Sequence, residues 1–131
     1  MTAFSNFLEN KILDHTLRGA AGAYTAPTTI YVGLFTASPT DTGGGTEVSG
    51  GSYARQTMAF GTAASGGAIS NTATVTFPTA TASWGTITHI GLYDAVSSGN
   101  LLYWGAVTQS KTVASGDTFS ITSGNLTITL D

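Results

Sequence analysis

Acid–base and metal-binding chemistry in this 131-residue sequence rests on two histidines and seven carboxylates, because it contains no cysteine. His15 follows Asp14 on a helical stretch and reads as a solvated polar residue. His89 lies in "ITHIGLYD", a strand pattern in which a hydrogen-bonded or interface histidine is expected. Neither has the spacing of a metal pair or of a nucleophile's base. Asp41 and Glu47 flank "TGGGT" and, with carbonyl oxygens, can hold Ca²⁺ or Mg²⁺, but no regular ligand spacing supports such a site. Asp94 and Asp117 stand beside turns, where Asp commonly bonds backbone amides. "GGG" and "SGG" share only glycine content with phosphate loops, lacking the Lys-Ser/Thr end and the following helix. Asn125-Leu126-Thr127 fits a glycosylation sequon but falls in a strand and reads as a chance match. These residues predict neither a catalytic centre, nor a cofactor, nor a metal.

The aromatics are the other candidates for recognition. Trp84, Tyr93, Tyr103 and Trp104 can line a carbohydrate platform, although sandwich proteins usually spend aromatics on the core and on cross-strand pairs. "LYWG" puts Tyr103 and Trp104 on opposite faces of one strand, so at most one is core and the other is a contact candidate.

Charge narrows the partners. The net charge is −3 with a pI near 5.0, and the four cations Lys11, Arg18, Arg55 and Lys111 cannot build a phosphate-tracking patch, so no nucleic acid is expected. No basic membrane face and no run of eighteen apolar residues is present, which predicts a soluble protein synthesised in a cytoplasm without membrane contact. Only 8% of residues are charged against 41% apolar. The exterior must then be hydroxyls and backbone, a surface suited to being covered in a homo-oligomer or other assembly.

The elements that position these residues change character near residue 29. Phe4, Leu8 and Ile12 recur every four residues, with Leu13 and Leu17 continuing the stripe. They predict one amphipathic helix over 1–19, capped by Thr2 or Ser5 and stopped at Gly19. A flexible Ala/Gly/Thr/Pro connector is expected over 20–28. Residues 29–131 then alternate with period two through "IYVGLF", "YARQTMAF", "ATVTF", "GTITHIGLYD", "LLYWGAVT", "DTFSIT" and "NLTITL", punctuated by "SGG", "SSGN", "SGD" and "SGN". With a short strand at "AIS", the pattern predicts an all-β, jelly-roll-like antiparallel sandwich of about eight strands behind one helix. Its expected core is Ile30, Val32, Leu34, Ile90, Leu92, Leu126, Ile128 and Leu130.

"LENKILDHTLRG", "YVGLFTASPTDTGGGTEVSGGSYARQ", "FPTATASWGTITHIGLYDA" and "GNLLYWGAVTQSKTVASGDTF" together resemble a family of small virion structural proteins of tailed bacteriophages and prophages, some labelled tail fibre and some serving as capsid cement. The resemblance implies a non-enzymatic virion protein whose partners are phage capsid or tail proteins. Capsid cement or decoration is the first expectation, and a tail-associated or fibre protein contacting host glycan is the alternative. Contacts are expected at Phe4, Leu8, Ile12 and Leu17 of the helix, at Asp41, Gly44 and Glu47 of the glycine loop, and at Tyr103 and Trp104. The loop from Asp41 to Gly51 is expected to be mobile until it meets a partner.

Overall fold

Strand pairing starts with the first described residues. The computed structural model describes residues 3–130, so Thr2, the alternative helix cap, lies outside them. β1 (Ala3–Phe4) lies antiparallel to the longest strand, β8 (Leu101–Val113), and leads into α1 (Asn6–Leu17). β2 (Ile30–Ala37), β3 (Thr46–Glu47), β4 (Gln56–Met58) and β7 (Gly85–Tyr93) complete a six-stranded sheet in the order β1-β8-β7-β2-β3, with β4 also on β2. Facing it are two antiparallel ribbons, β5 (Ala68–Ser70) with β10 (Thr127–Thr129) and β6 (Val75–Thr76) with β9 (Ser120–Ile121). Strand accounts for 39% of the chain and helix for 12%, so the molecule is all-β with one N-terminal helix, the class that the alternation predicts.

Period-two patterning separates two apolar layers. Val32, Leu34, Ile87 and Leu92 of the large sheet meet Val75, Phe77, Phe119, Ile121, Leu126 and Ile128, with Trp84 and Val113 closing the end. The Tyr53 ring stacks on Phe77 at 6.0 Å between centroids and meets Trp84 edge-on at 5.4 Å. On the opposite face of the sheet Phe35, Tyr93 and Leu101 form a second cluster, flanked by Tyr31 and Trp104. Both faces of the large sheet are therefore apolar near its centre.

Five of the eight expected core residues are buried, and Ile30 and Ile90 are partly buried against them. Leu130 corrects the expectation at 41% exposure. The β5–β10 ladder ends at Thr129 opposite Ala68, so the next side chain lies past the covered length of the ribbon. Strict alternation along β7 would put Ile87 on the face of His89 and Tyr93, yet it joins the core with Leu92. The β7–β8 pairing slips at this point, Ile87 facing Lys111 but His89 facing Ala106, which leaves an irregular stretch on β8.

The N-terminal region also departs from expectation. Phe4 is not on the helix but in β1, its ring 5.2 Å from that of Tyr103. Ser5 is the N-cap, accepting from Leu8 N–H at 3.3 Å, while its hydroxyl donates to the Leu101 carbonyl. Leu8 is buried and Ile12 half-buried, but Leu13 and Leu17 are 55% and 79% exposed, because only the first half of α1 reaches its own sheet. The connector is not a loose tether. Gly19–Gly22 form a 3-10 turn, the Tyr24 N–H donates to His15 Nδ1 at 3.1 Å, and the Tyr24 ring meets Phe7 edge-on. Gly22 passes so close to the Asp14 carbonyl that a side chain there would collide with it.

Candidate functional site

The glycine loop, the start of α1 and β8 converge on the outer face of the large sheet. Thr40 and Gly43 exchange two backbone hydrogen bonds of 2.8 and 2.9 Å, and the Thr40 hydroxyl donates to the Gly43 carbonyl at 2.6 Å. This tight turn presents Asp41 in two directions. Its carbonyl accepts the Asn6 N–H at 2.9 Å, and its carboxylate accepts the Trp104 indole N–H at 3.3 Å. Loop, helix and strand are thereby tied together. Gly45 has φ +72° and sits 2.7 Å, at its missing Cβ, from the Ala37 carbonyl, a close approach that glycine alone makes without strain. Gly44, exposed with φ +78°, makes no comparable approach.

Glu47 stands apart from Asp41 in a network that the sequence did not reveal. Arg55 holds its carboxylate with two parallel hydrogen bonds, Nε to Oε1 and Nη2 to Oε2, both 2.8 Å. Its Nη1 donates to the Ala95 and Ser98 carbonyls at 3.0 and 2.7 Å, and the guanidinium lies 3.5 Å from the Tyr93 ring centroid. The Tyr53 hydroxyl accepts the Leu34 N–H at 2.9 Å and donates to Glu47 Oε1 at 2.8 Å. It fills the gap on the β2 edge between the residues paired to β4 and those paired to β3. Gly33 leaves room for this arrangement, since a Cβ there would sit 2.8 Å from Glu47 Oε1.

Burial sets the ionisation of the network. It drives the Tyr53 hydroxyl far above the usual tyrosine range, against the Leu34 N–H, which favours tyrosinate, and with the Glu47 charge, which opposes it. Tyr93 is raised by burial despite the neighbouring Arg55 charge. Burial pulls Arg55 down, but the Glu47 hydrogen bond and charge outweigh it and hold the guanidinium above its ordinary value.

The expected contact residues thus fall into three places. Asp41 and Trp104 meet directly; Phe4 packs on Tyr103 across the β1–β8 ladder; Leu8 is in the interior, with Leu17 on the far end of α1. Glu47 is an internal anchor. The loop expected to be mobile carries β3, Glu47 and the buried Val48, whose N–H donates to Leu34 at 3.0 Å. Trp84 is core and Tyr93 lies beneath Arg55, so the four aromatics do not form one saccharide platform. Arg55 was missed, although in a chain with four cations a glutamate and an arginine eight residues apart, bracketing a "SGG" turn, are a pairing signal.

Such an arrangement grips and braces. His89 Nδ1 is engaged by the Thr88 hydroxyl at 2.9 Å, and among the described residues no three His, Asp or Glu side chains gather as metal ligands. A polar cleft of about 430 Å³ lies between Asn6, Asp41, Arg55 and Asn100. Among the described residues no helix is long and apolar enough to cross a membrane.

No curated protein matches the chain. The family described as "Podophage GP4 fiber I protein gp80" matches residues 3–129, a span that takes in α1, both layers of the sandwich and the Asp41–Trp104 contact. The resemblance to tailed-phage virion structural proteins is therefore a membership: this chain belongs to the family of the podophage GP4 fiber I protein gp80.

Proposed function

We propose that this chain is a non-enzymatic component of the phage tail-fibre apparatus, a small braced sandwich that joins other virion proteins and copies of itself. The observation that carries the reading is the family match over residues 3–129, whose description is a fibre protein and not a capsid protein. It favours the tail-associated alternative over capsid cement. The site supports it in kind: exposed hydroxyls and backbone groups offer hydrogen bonds without the desolvation cost of charge.

Copy number tests the reading. A fibre component is present in few copies per virion and a cement protein in hundreds. Quantitative mass spectrometry of purified virions against the major capsid protein is expected to give the low value. A stoichiometry near that of the capsid subunit would overturn it.

A further inference from the structure

Two turns and the start of α1 border the open cleft of about 430 Å³, which is of the size that small ligands occupy. One wall is the Thr40–Gly43 turn, tied to α1 by the Asp41 carbonyl, and the other is the β7–β8 turn. The second turn is held in a costly shape. Ser98 sits at φ +53°, a left-handed conformation rare for a residue with a side chain, and Gly99 at +75°, where a Cβ would meet Asp94 Oδ1 at 2.5 Å. The Asp94 carboxylate fixes this turn by accepting the Asn100 N–H at 2.7 Å and its Nδ2 at 2.8 Å. Both walls are thus organised without a ligand, which lowers the ordering cost of binding one.

The charged residues that line the cleft are Arg55 and Asp41. Every nitrogen of the Arg55 guanidinium is committed, Nε and Nη2 to Glu47 and Nη1 to the Ala95 and Ser98 carbonyls, so it presents no fork to an anion. Asp41 spends Oδ1 on the Trp104 indole and keeps Oδ2. Among the described residues the Asn6 side-chain amide and the Ser98 hydroxyl have no hydrogen-bond partner, and Asn100, with Nδ2 on Asp94, keeps Oδ1. The cleft therefore sets carboxylate and amide acceptors beside amide and hydroxyl donors, next to the half-buried Phe7 ring.

We propose that this cleft binds a neutral saccharide unit of a surface glycan through Asn6, Asp41, Ser98 and Asn100, with Phe7 as its apolar wall. A sugar hydroxyl donates and accepts at once, so hydroxyls on neighbouring ring carbons match this mixed set of donors and acceptors. The C–H face of the ring matches the Phe7 side chain. An anionic sugar is selected against, because Asp41 repels it and Arg55 is already occupied. A metal ion is not the occupant, since among the described residues no three His, Asp or Glu side chains gather. The proposal deepens the fibre reading, on which its surface setting rests, while sugar binding itself is read on the purified chain.

Amide chemical shifts of the full chain report binding residue by residue. Titration with the methyl glycosides of glucose, galactose, mannose, rhamnose and N-acetylglucosamine is expected to give, for at least one, saturable shifts centred on Asn6, Asp41 to Gly43 and Ser98 to Asn100. N-acetylneuraminic acid should bind about tenfold more weakly, and Asp41→Asn should narrow that gap. Asn6→Ala and Ser98→Ala remove side-chain groups that hold no other part of the fold, so each should keep the parent circular dichroism and weaken binding about tenfold. Ser97→Ala, outside the cleft, should bind as the parent does. Polysaccharide released from the host envelope and polysaccharide secreted by the host, used as competitors, tell the two sources of the sugar apart, and displacement by neither overturns the assignment to a surface glycan. Shifts centred elsewhere, unweakened binding to folded Asn6→Ala, or equal affinity for N-acetylneuraminic acid would overturn the proposal. A chain that binds none of these sugars yet shows the low copy number overturns it too, and leaves the fibre reading standing.

Discussion

Arg55 and Glu47 face each other in a two-point grip, with paired hydrogen bonds of 2.8 Å and the arginine side chain only 8% exposed. A pair so enclosed acts as a clamp between the glycine loop and the β7–β8 turn, because Arg55 also holds the Ala95 and Ser98 carbonyls.

Breaking one side of that clamp leaves a buried charge without its partner. Arg55→Ala or Glu47→Gln should cost about 3 kcal/mol, and Arg55→Lys should recover little because an ammonium cannot make the fork. Removing both charges together, as Glu47→Leu with Arg55→Met, should cost less than either single change. Chemical denaturation of the four variants checks the order.

Alkaline pH should unfold the protein before it unfolds chains with exposed tyrosines. Tyr53, Tyr93, Tyr103 and Tyr24 are all raised, chiefly by burial. A raised folded value means stability that is fully present below the unfolded tyrosine value of about 10 and is lost as pH rises above it. Tyrosinate absorbance from these four should therefore appear together with loss of the β signal. Titration of these four tyrosines in a still-folded chain would contradict this.

Core substitutions should separate the buried face from the end of the ribbon. Leu92→Ala and Ile128→Ala, 2% and 5% exposed, should each cost roughly 2 to 5 kcal/mol, and Leu130→Ala under about 1 kcal/mol. Thermal melts of the three suffice.

At the N-terminus, Ser5→Ala should cost about 1 to 2 kcal/mol, since it removes the helix cap and the hydroxyl bond to Leu101. Deleting residues 1–18 should leave a β circular-dichroism spectrum with a lowered melting temperature, because the large sheet keeps five strands but uncovers Leu101 and Leu102. A deletion variant without β signal would show that α1 is integral to folding.

What was legible in the sequence is what local periodicity encodes. Val32, Leu34 and Leu92 announce their face by alternation, and Ser5 announces a cap by its place before an apolar run. Ile87 breaks the alternation of β7 where its pairing with β8 slips, and no residue beside it marks the place. Phe4 was drawn into the helical stripe because its four-residue spacing from Leu8 is satisfied equally by a short strand that ends at a cap. Glycine content suggested that the loop and the connector were loose, whereas Gly45 and Gly22 are there for close backbone approach. Trp104 meets Asp41 across sixty-three residues, and no window along the chain contains that contact.

The central claim is that this sandwich belongs to the tail-fibre apparatus, and a cryo-electron-microscopy map of the intact virion tests it most directly. The account predicts that the six-stranded sheet, its two ribbons and α1 fit density on the tail or its fibres, with none over the capsid shell. Density for the chain repeated across the capsid surface, with the tail unoccupied, would contradict it.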